Sequence, residues 1–442
     1  MHNLSKNFGL CRPFYSTTSK QPQSVTDKQS GKLTMPLLVL LAICFFGLPA
    51  QGEYGGGSGT VEDPYLIDTA EQMNAIGANT NDWDKNFKLI NDIDLAGYTG
   101  TEFNIIGYYT SYDNNKPFSG VFDGNGHTIS NFTCTSSDPD YIGLFGYVTG
   151  AIKDLGLIAP NVDASTGYYV GSLAGSLNNG TITGCYAKGA SVSGVSTIGG
   201  LVGSNAGRIV NCYSSGNISG DMYVGGLVGQ VGAGTVTNCY ATASVSGNRN
   251  IGGLVGKTGD ETSTITNCYA IGAVKGDRYV GGLAGQVERG AAYKCYSVGS
   301  VSGNQDVGGL VGYTRVLGRV LNSVWDTQTS GQQTSAGGTG KTTAQMQMMS
   351  TFTSVGWDFW NVWTICEGTN YPVLLWQIFL EDFRCPDGVN FIDFAFFAAH
   401  WHQEACSPSN NYCDGTDLDE SGSVDFLDLA IFTNNWLAGI NN

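Results

Sequence analysis

Near the C-terminus, six residues have the types and spacing to hold a hard cation. Asp417-Leu-Asp-Glu-Ser-Gly-Ser-Val-Asp425, completed by Asp428, makes a loop of twelve residues. Oxygen side chains fall at positions 1, 3, 5, 9 and 12, with glycine at 6, which is the layout Ca2+ demands. The predicted ligands are Asp417, Asp419, Ser421, Asp425 (through a water), Asp428 and the backbone carbonyl of Ser423. Four carboxylates this close repel one another unless a divalent cation sits among them, and Gly422 permits the turn that brings them round it. The bland alternative is an acidic, solvated turn.

The loop belongs to an internal duplication. Asn390-Phe-Ile-Asp-Phe-Ala-Phe-Phe-Ala-Ala-His-Trp401 aligns with Asp425-Phe-Leu-Asp-Leu-Ala-Ile-Phe-Thr-Asn-Asn-Trp436 at an offset of 35. Each is a loop end followed by an apolar helix, and the two helices are expected to dock on each other. The first loop departs from the pattern. Counting back from Asp393 puts Asp382 at position 1 but Arg384 and Pro386 at positions 3 and 5, where neither ligates in the usual way. Asp387-Gly-Val-Asn390 keeps only the second half. His400 and His402 read as surface residues at a helix end. Cys366, Cys385, Cys406 and Cys413 lie in or beside this tail, and Cys385 is expected to pair with Cys406 or Cys413.

Other candidates carry less. Ser335-Ala-Gly-Gly-Thr-Gly-Lys-Thr342 has the outline of a phosphate loop, but Ser335 stands where the first glycine is required, so a flexible loop is expected. Asp123-Gly-Asn-Gly126, with His127 beside it, reads as a turn between strands. Asp277-Arg278, with Asp260-Glu261 one repeat earlier, is the nearest approach to a catalytic cluster. Trp325, Trp357, Trp360, Trp363 and Trp376 could stack on sugars but are expected to plug the end of the fold.

The middle of the chain positions these parts. Val224-Gly-Gly-Leu-Val-Gly229 recurs at Ile198–Gly203, Ile251–Gly256, Val280–Gly285 and Val307–Gly312, and more loosely at Ile142–Gly146 and Val170–Gly175. Its leucines, Leu144, Leu173, Leu201, Leu227, Leu254, Leu283 and Leu310, stand 26 to 29 residues apart. A Cys-Tyr pair follows five copies, at Cys185, Cys212, Cys239, Cys268 and Cys295. Gly, Asn and β-branched residues in short units predict brief strands and turns. One unit cannot bury its apolar face alone, so the units must stack. The prediction is mainly β: a parallel β-solenoid (β-helix) of about 27-residue coils, then a small all-α loop-helix pair. Gly-Gly marks a corner of close backbone approach or positive φ. The cysteines are expected to form a ladder of free thiols in or near the core. Strict alternation would face Cys212 away from Ile209, Asn211 and Tyr213, and a bulge at the asparagine would change that.

The expected organisation is an N-terminal extension and signal peptide over residues 1–52, a cap and first coils over 53–140, repeats over 141–326, a C-terminal cap over 327–379 and the loop-helix tail over 380–442. The apolar run 36–49 is too short to span a bilayer and fits a secretory signal, so the mature chain is expected to begin near Glu53 and to have no membrane span. Net charge is −16 over 442 residues with 64 glycines, which suits an extracellular β protein and argues against nucleic acid as partner.

The pattern G-G-L-V-G…N-C-Y-A-x-G-x-V-x-G over residues 142–326 resembles the GLUG repeat of bacterial secreted and surface proteins. The tail resembles a type I dockerin, an EF-hand-like module, with Asp428 in place of the usual Glu. These resemblances imply a secreted or cell-surface location, a cohesin-like or cell-surface partner, and Ca2+ as the bound ion. They imply no catalytic residue. The resulting expectation is a non-catalytic scaffold or adhesin docked through its tail. Its rivals are a β-helix polysaccharide lyase or hydrolase carried by a dockerin, and a surface protein that binds polysaccharide. Clustered carboxylates beside a basic residue on one solenoid face would favour the first rival, and an exposed aromatic row the second.

Overall fold

The computed structural model describes residues 53–111, 113–135, 140–385 and 387–438. The run 36–49 and Pro386 lie outside the described residues. Among the described residues no helix is long and apolar enough to cross a membrane.

The repeats wind into a parallel β-solenoid. Its strands form two large parallel sheets of thirteen and eighteen strands. Coils stack in register: Val170 faces Ile198, Ile198 faces Val224, Val224 faces Ile251, Ile251 faces Val280 and Val280 faces Val307. The repeated leucines are wholly buried. Their backbones form a continuous rail, with Leu201 N donating to Leu227 O at 3.0 Å, Leu227 N to Leu254 O at 2.9 Å, Leu254 N to Leu283 O at 2.9 Å and Leu283 N to Leu310 O at 2.8 Å.

Gly-Gly is a place of close approach rather than of positive φ. A Cβ on Gly226 would stand 2.0 Å from Gly253 O, and one on Gly253 would stand 2.1 Å from Gly282 O. Ser172 occupies the same column in an earlier coil. Its hydroxyl donates to Gly200 O at 2.5 Å, so the column admits a side chain there by turning the contact into a hydrogen bond.

Left-handed backbone lies elsewhere, at two other corners. Asn211, Asn238, Asn267 and Asn322 have φ of 52–53°, and Lys294 has 50°. Tyr169, Thr197, Tyr223, Asn250, Tyr279 and Asp306 make the second column, with φ of 54–64°. The asparagine corner decides the facing of the cysteines. The kink interrupts alternation, so Ile209 and Cys212 are both buried while Tyr213 is part-exposed. Asn tolerates this conformation better than most residues.

The five repeated cysteines are wholly buried free thiols. Each Sγ lies near the carbonyl two residues earlier, as Cys212 does with Val210 at 3.2 Å, and the Cys185 amide donates to Cys212 Sγ at 3.4 Å. The tyrosines beside them stack into a column. Tyr186, Tyr213, Tyr240, Tyr269 and Tyr296 have successive ring centroids 4.8–5.0 Å apart and planes within 5–7°.

The C-terminal cap does more than plug an end. Trp325 lies over Gly309 on the last rung, where a Cβ on that glycine would come 2.0 Å from the indole. Trp363 and Trp376 instead lean on the side of the tyrosine column, Trp376 donating to Asn238 O at 2.9 Å. Tyr296 OH donates to Pro372 O at 2.5 Å. Trp360 is 91% exposed and takes no part. The Ser335–Thr342 segment is bound into the end of the solenoid rather than left as a flexible loop. Thr339–Lys341 pairs in parallel with Val324–Asp326, and Ser335 Oγ accepts from Val311 N at 2.8 Å.

At the other end the helix Ala70–Ala78 covers the first coils with Met73 and Ile76, capped by Thr69, whose hydroxyl accepts from Gln72 N. Asp123-Gly-Asn-Gly126 is a turn, with Asn125 at φ 52° and its amide bonded to Asp123 Oδ1 at 2.8 Å.

Gly226→Val is expected to destabilise the solenoid by roughly 1–3 kcal/mol, because a branched side chain cannot make the bond that Ser172 makes. Gly226→Ser should cost less. Thermal melts followed by circular dichroism check both, and an unchanged Gly226→Val melt would count against the close-approach corner.

Burial also sets an alkaline limit. It pushes Tyr213 up to about 12 and Tyr240, Tyr269 and Tyr296 well above the ordinary tyrosine range. Tyrosines in the unfolded chain ionise near 10. The folded chain therefore holds more protons above that pH, so this stability is full below about pH 10 and is lost as pH climbs towards 12 and beyond. The last part of the tyrosinate absorbance should appear only together with loss of the β signal. Ionisation of all 22 tyrosines near pH 10 with the fold intact would contradict the packed column.

Candidate functional site

The tail begins where a disulfide holds it to the cap. Cys366 pairs with Cys385, and Cys406 with Cys413. The expected pairing of Cys385 with Cys406 or Cys413 is thus corrected. Cys406 and Cys413 close a short loop of their own, and Cys385 reaches back to the cap residue Cys366.

Two helices follow, Phe391–Ala399 and Phe426–Asn434, each capped by the ninth residue of its acidic loop. Asn390 accepts from Ile392 N at 2.7 Å, and Asp425 accepts from Leu427 N at 2.8 Å. The helices pack through Phe397 and Phe432, whose rings lie 5.2 Å apart. Equivalent edge contacts recur on both sides: Phe391 meets Trp436 at 5.0 Å, and Phe426 meets Trp401 at 5.2 Å. The duplication read in sequence is therefore a pseudo-two-fold relation in space.

Packing the helices draws the second loop together. Asp417 is 2% exposed and Asp428 is wholly buried. Carboxylate oxygens of Asp417, Asp419 and Asp428 all lie within 4.8 Å of one another. Asp428 accepts from Leu418 N at 2.6 Å, Asp419 N at 3.1 Å and Asp425 N at 2.7 Å. Asp417 accepts from Ser421 N at 3.0 Å and Gly422 N at 2.9 Å, and burial pushes its carboxyl up. Gly422 takes φ of 101°, the turn that the pattern required. Ser421 Oγ donates to Ser423 O at 3.3 Å. Asp425 stands apart from the gathered carboxylates and caps its helix.

The first loop gathers three carboxylates as well: Asp382, Asp387 and Asp393. Asp393 accepts from Arg384 N at 3.1 Å and Asn390 N at 3.0 Å, in the manner of Asp428. Asp382 accepts from Gly388 N at 3.0 Å, in the manner of Asp417. Burial first, then Asp393 and Asp387, pushes Asp382 up to about 6. Sequence counting passed over Asp387 because it stands one place after the ligand position that Pro386 occupies. Arg384 meets the loop through its backbone amide, while its guanidinium lies over the Phe396 ring. His400 contacts Phe396 O and Asp414, outside both loops.

On the solenoid the charges meet as local pairs and small bridges. Glu288 takes both Lys257 and Arg315, Glu261 lies 4.0 Å from Arg289, and Asp277 accepts from Asn304. Asp260 binds its own turn through Thr262. Among the described residues, the two groups of three or more potential metal-binding side chains are both in the tail.

The model of the GLUG motif matches residues 194–219, 220–246 and 247–275. This chain carries GLUG repeats. Its relatives include halomucin of Haloquadratum walsbyi, 35% identical over 158 residues, and a proposed Gly-rich membrane protein of Evansella cellulosilytica, 38% identical over 109 residues. The matches cover 34% and 24% of this chain, but only 2% and 12% of those relatives' own length. Among solved structures, a proposed immunoglobulin A1 protease from Bacteroides ovatus is similar at 25% identity with a TM-score of 0.48, covering 74% of this chain and 96% of that one.

Proposed function

We propose that this chain is an exported, non-catalytic GLUG solenoid held to a cohesin-like or cell-surface partner through a dockerin-like tail that folds around Ca2+. The observation that carries the reading is the buried acidic cage. Asp417 and Asp428 leave water beside Asp419, and burying like charges together is unfavourable without a cation. The donor set fits the ion. It is all oxygen, and the contact suits a hard cation rather than a thiophilic one. Asp417, Asp419, Ser421, Asp428 and the Ser423 carbonyl would hold it, with Asp425 acting through water while it caps the helix. Bound Ca2+ would cancel the repulsion and so couple metal binding to folding of the tail.

The docking face is argued from exposure. Phe391 is 74% and Ile392 60% exposed, and their counterparts Phe426 and Leu427 are 72% and 62% exposed. Large apolar side chains left in water beside two ordered loops suit a partner interface.

Calorimetric titration of the chain from Glu53 with Ca2+ tests the cage. One equivalent should bind, with a gain in helix, and Asp417→Ala should abolish it. A second equivalent lost in Asp382→Ala would extend the site to the first loop. No heat and no gain in helix at millimolar Ca2+ would end the reading.

Ile392→Ser with Leu427→Ser should leave Ca2+ binding intact and weaken capture by a panel of immobilised cohesin domains by roughly tenfold or more, as expected when anchor residues are lost. Equal capture by the variant, or no capture by any cohesin, would remove this face from the proposal.

A further inference from the structure

The cap covers the core at the C-terminal end of the solenoid but leaves one strand edge bare. The strand Val311–Leu321 pairs in parallel with Ala284–Tyr293 on one side and, among the described residues, with no strand on the other. The same sheet is closed at its N-terminal end. There Gly55 N donates to Leu66 O at 2.8 Å and Leu66 N to Gly56 O at 2.9 Å, so the preceding chain covers the strand Tyr65–Ile67. The second sheet is closed at the C-terminal end, where Thr339–Lys341 lies over Val324–Asp326. On Val311–Leu321 the ties come at the two ends. Val311 N donates to Ser335 Oγ at 2.8 Å, Ala336 N donates to Val311 O at 2.9 Å, and Trp357 Nε1 donates to Asn322 O at 2.8 Å, one residue beyond the strand.

A bare edge is a row of backbone donors and acceptors that can template another strand. Short strands and prolines commonly blunt such edges, but this one runs for eleven residues and contains no proline. Its side chains add to the exposure. Val316 is wholly exposed, and Leu317 and Leu321 are about half exposed. A register shift lets Thr314 face Val287 and Leu317 face Arg289. Beyond it Leu317, Arg319 and Leu321 alternate outwards, while Val320 packs against the core. Tyr313 stacks on Tyr279 at 4.8 Å, and its other face has no ring partner among the described residues. Arg315 shares Glu288 with Lys257. Arg319 is exposed and has no ion-pair partner among the described residues.

We propose that this edge takes up, as an added strand, an extended segment of a partner protein in which acidic and apolar residues alternate. Backbone bonds would continue the ladder, and alternate side chains would meet Leu317, Arg319 and Leu321. Opposite charges that face each other across a strand pair are favourable, and like charges are not. That preference separates two occupants. If a second copy of this chain paired antiparallel about Leu317, Arg315 of each copy would face Arg319 of the other. An acidic strand meets the same two arginines as counter-charges. The arginines therefore discourage self-pairing and select the partner at once. The bare stretch has room for a segment of about seven residues, about 23 Å when extended. The edge is separate from the tail and its acidic loops, so this proposal does not depend on the reading of the tail.

Fluorescence anisotropy on the chain from Glu53 tests it, with a labelled peptide of about seven alternating valines and glutamates as the probe. The peptide should bind with a Kd below about 1 mM. A proline at its centre should weaken binding by roughly tenfold or more, because a ladder donor is lost and the strand is broken. Arg319→Glu, at an exposed position, should melt like the parent. It should weaken the glutamate peptide by roughly tenfold and strengthen the matching valine–lysine peptide relative to the parent. No binding of the glutamate peptide at about 1 mM, or binding indifferent to the proline or to Arg319→Glu, overturns the proposal. So does a parent chain that sediments as a dimer and becomes a monomer in Leu317→Pro, since the edge would then belong to a second copy.

Discussion

In-register parallel stacking is the constraint on which the rest of this molecule depends. Each position in a coil has its equivalent one strand spacing above and below, about 4.8 Å away. At the repeated positions a residue suits the column because it packs against copies of itself. Leucine at the rail, cysteine beside the asparagine corner and glycine under the next carbonyl each meet that condition. The condition explains why cysteine is used without bonding to cysteine. A small, soft side chain can fill a narrow column repeatedly, and here each Sγ lies beside a backbone carbonyl of its own coil. Tyrosines obey the same rule outside the core. Their rings are nearly parallel because their backbones are, and the cap then has a ready-made aromatic wall to cover.

Much of this was legible in the sequence because a repeat states its rule many times. The spacing of Leu144 to Leu310 implied the coil, and Gly225-Gly226 implied either close approach or positive φ, of which the structure has the first. What single positions had to decide was less readable. Periodicity alone could not face Cys212, because the answer lies in the left-handed backbone of Asn211, one residue away. Four of the five tryptophans do pack in the cap while Trp360 stays exposed, and where each packs was not readable. Trp363 and Trp376 lean on tyrosines that are distant in sequence, and nothing local marks that contact. The disulfides misled for a similar reason. Cys366 lies upstream of the tail, so grouping cysteines by composition separated it from its partner Cys385.

The tail was legible as a pattern and less so as a geometry. The second loop could be counted by position, and its outer carboxylates, Asp417 and Asp428, do come together with Asp419. The first loop could not. Counting placed Arg384 and Pro386 where ligands belong, yet Asp387 joins Asp382 and Asp393 from the adjacent position. Position counting assumes that a loop keeps its path, and a backbone that shifts by one residue breaks the assumption without losing the acidic cluster. The aromatic contacts explain why the shift is tolerated. Phe391 with Trp436 and Phe426 with Trp401 fix the two helices by the same pair of edges, so the loops need only deliver their ends.

Solenoid and tail thus solve the problem of stability in opposite ways. The solenoid gains a fresh buried layer with each coil and covers both of its ends from its own sequence. Its repeated cysteines stay free thiols, so disulfides are not part of its repeat. The tail has a small core around Phe397 and Phe432. From residue 380 on it carries eleven acidic side chains and one arginine, so most of the net charge of −16 is concentrated in the module with the least burial. Domains below roughly 70–80 residues seldom stand on a hydrophobic core alone. Here two disulfides supply part of what is missing, one closing Cys406 on Cys413 and one tying Cys385 to the cap. The remaining deficit is electrostatic. It sits at Asp417 and Asp428, which are buried while their partners in charge are all of the same sign. The proposed cation would be the economical remedy, because it would turn the repulsion that opposes folding into an attraction that orders both loop and helix.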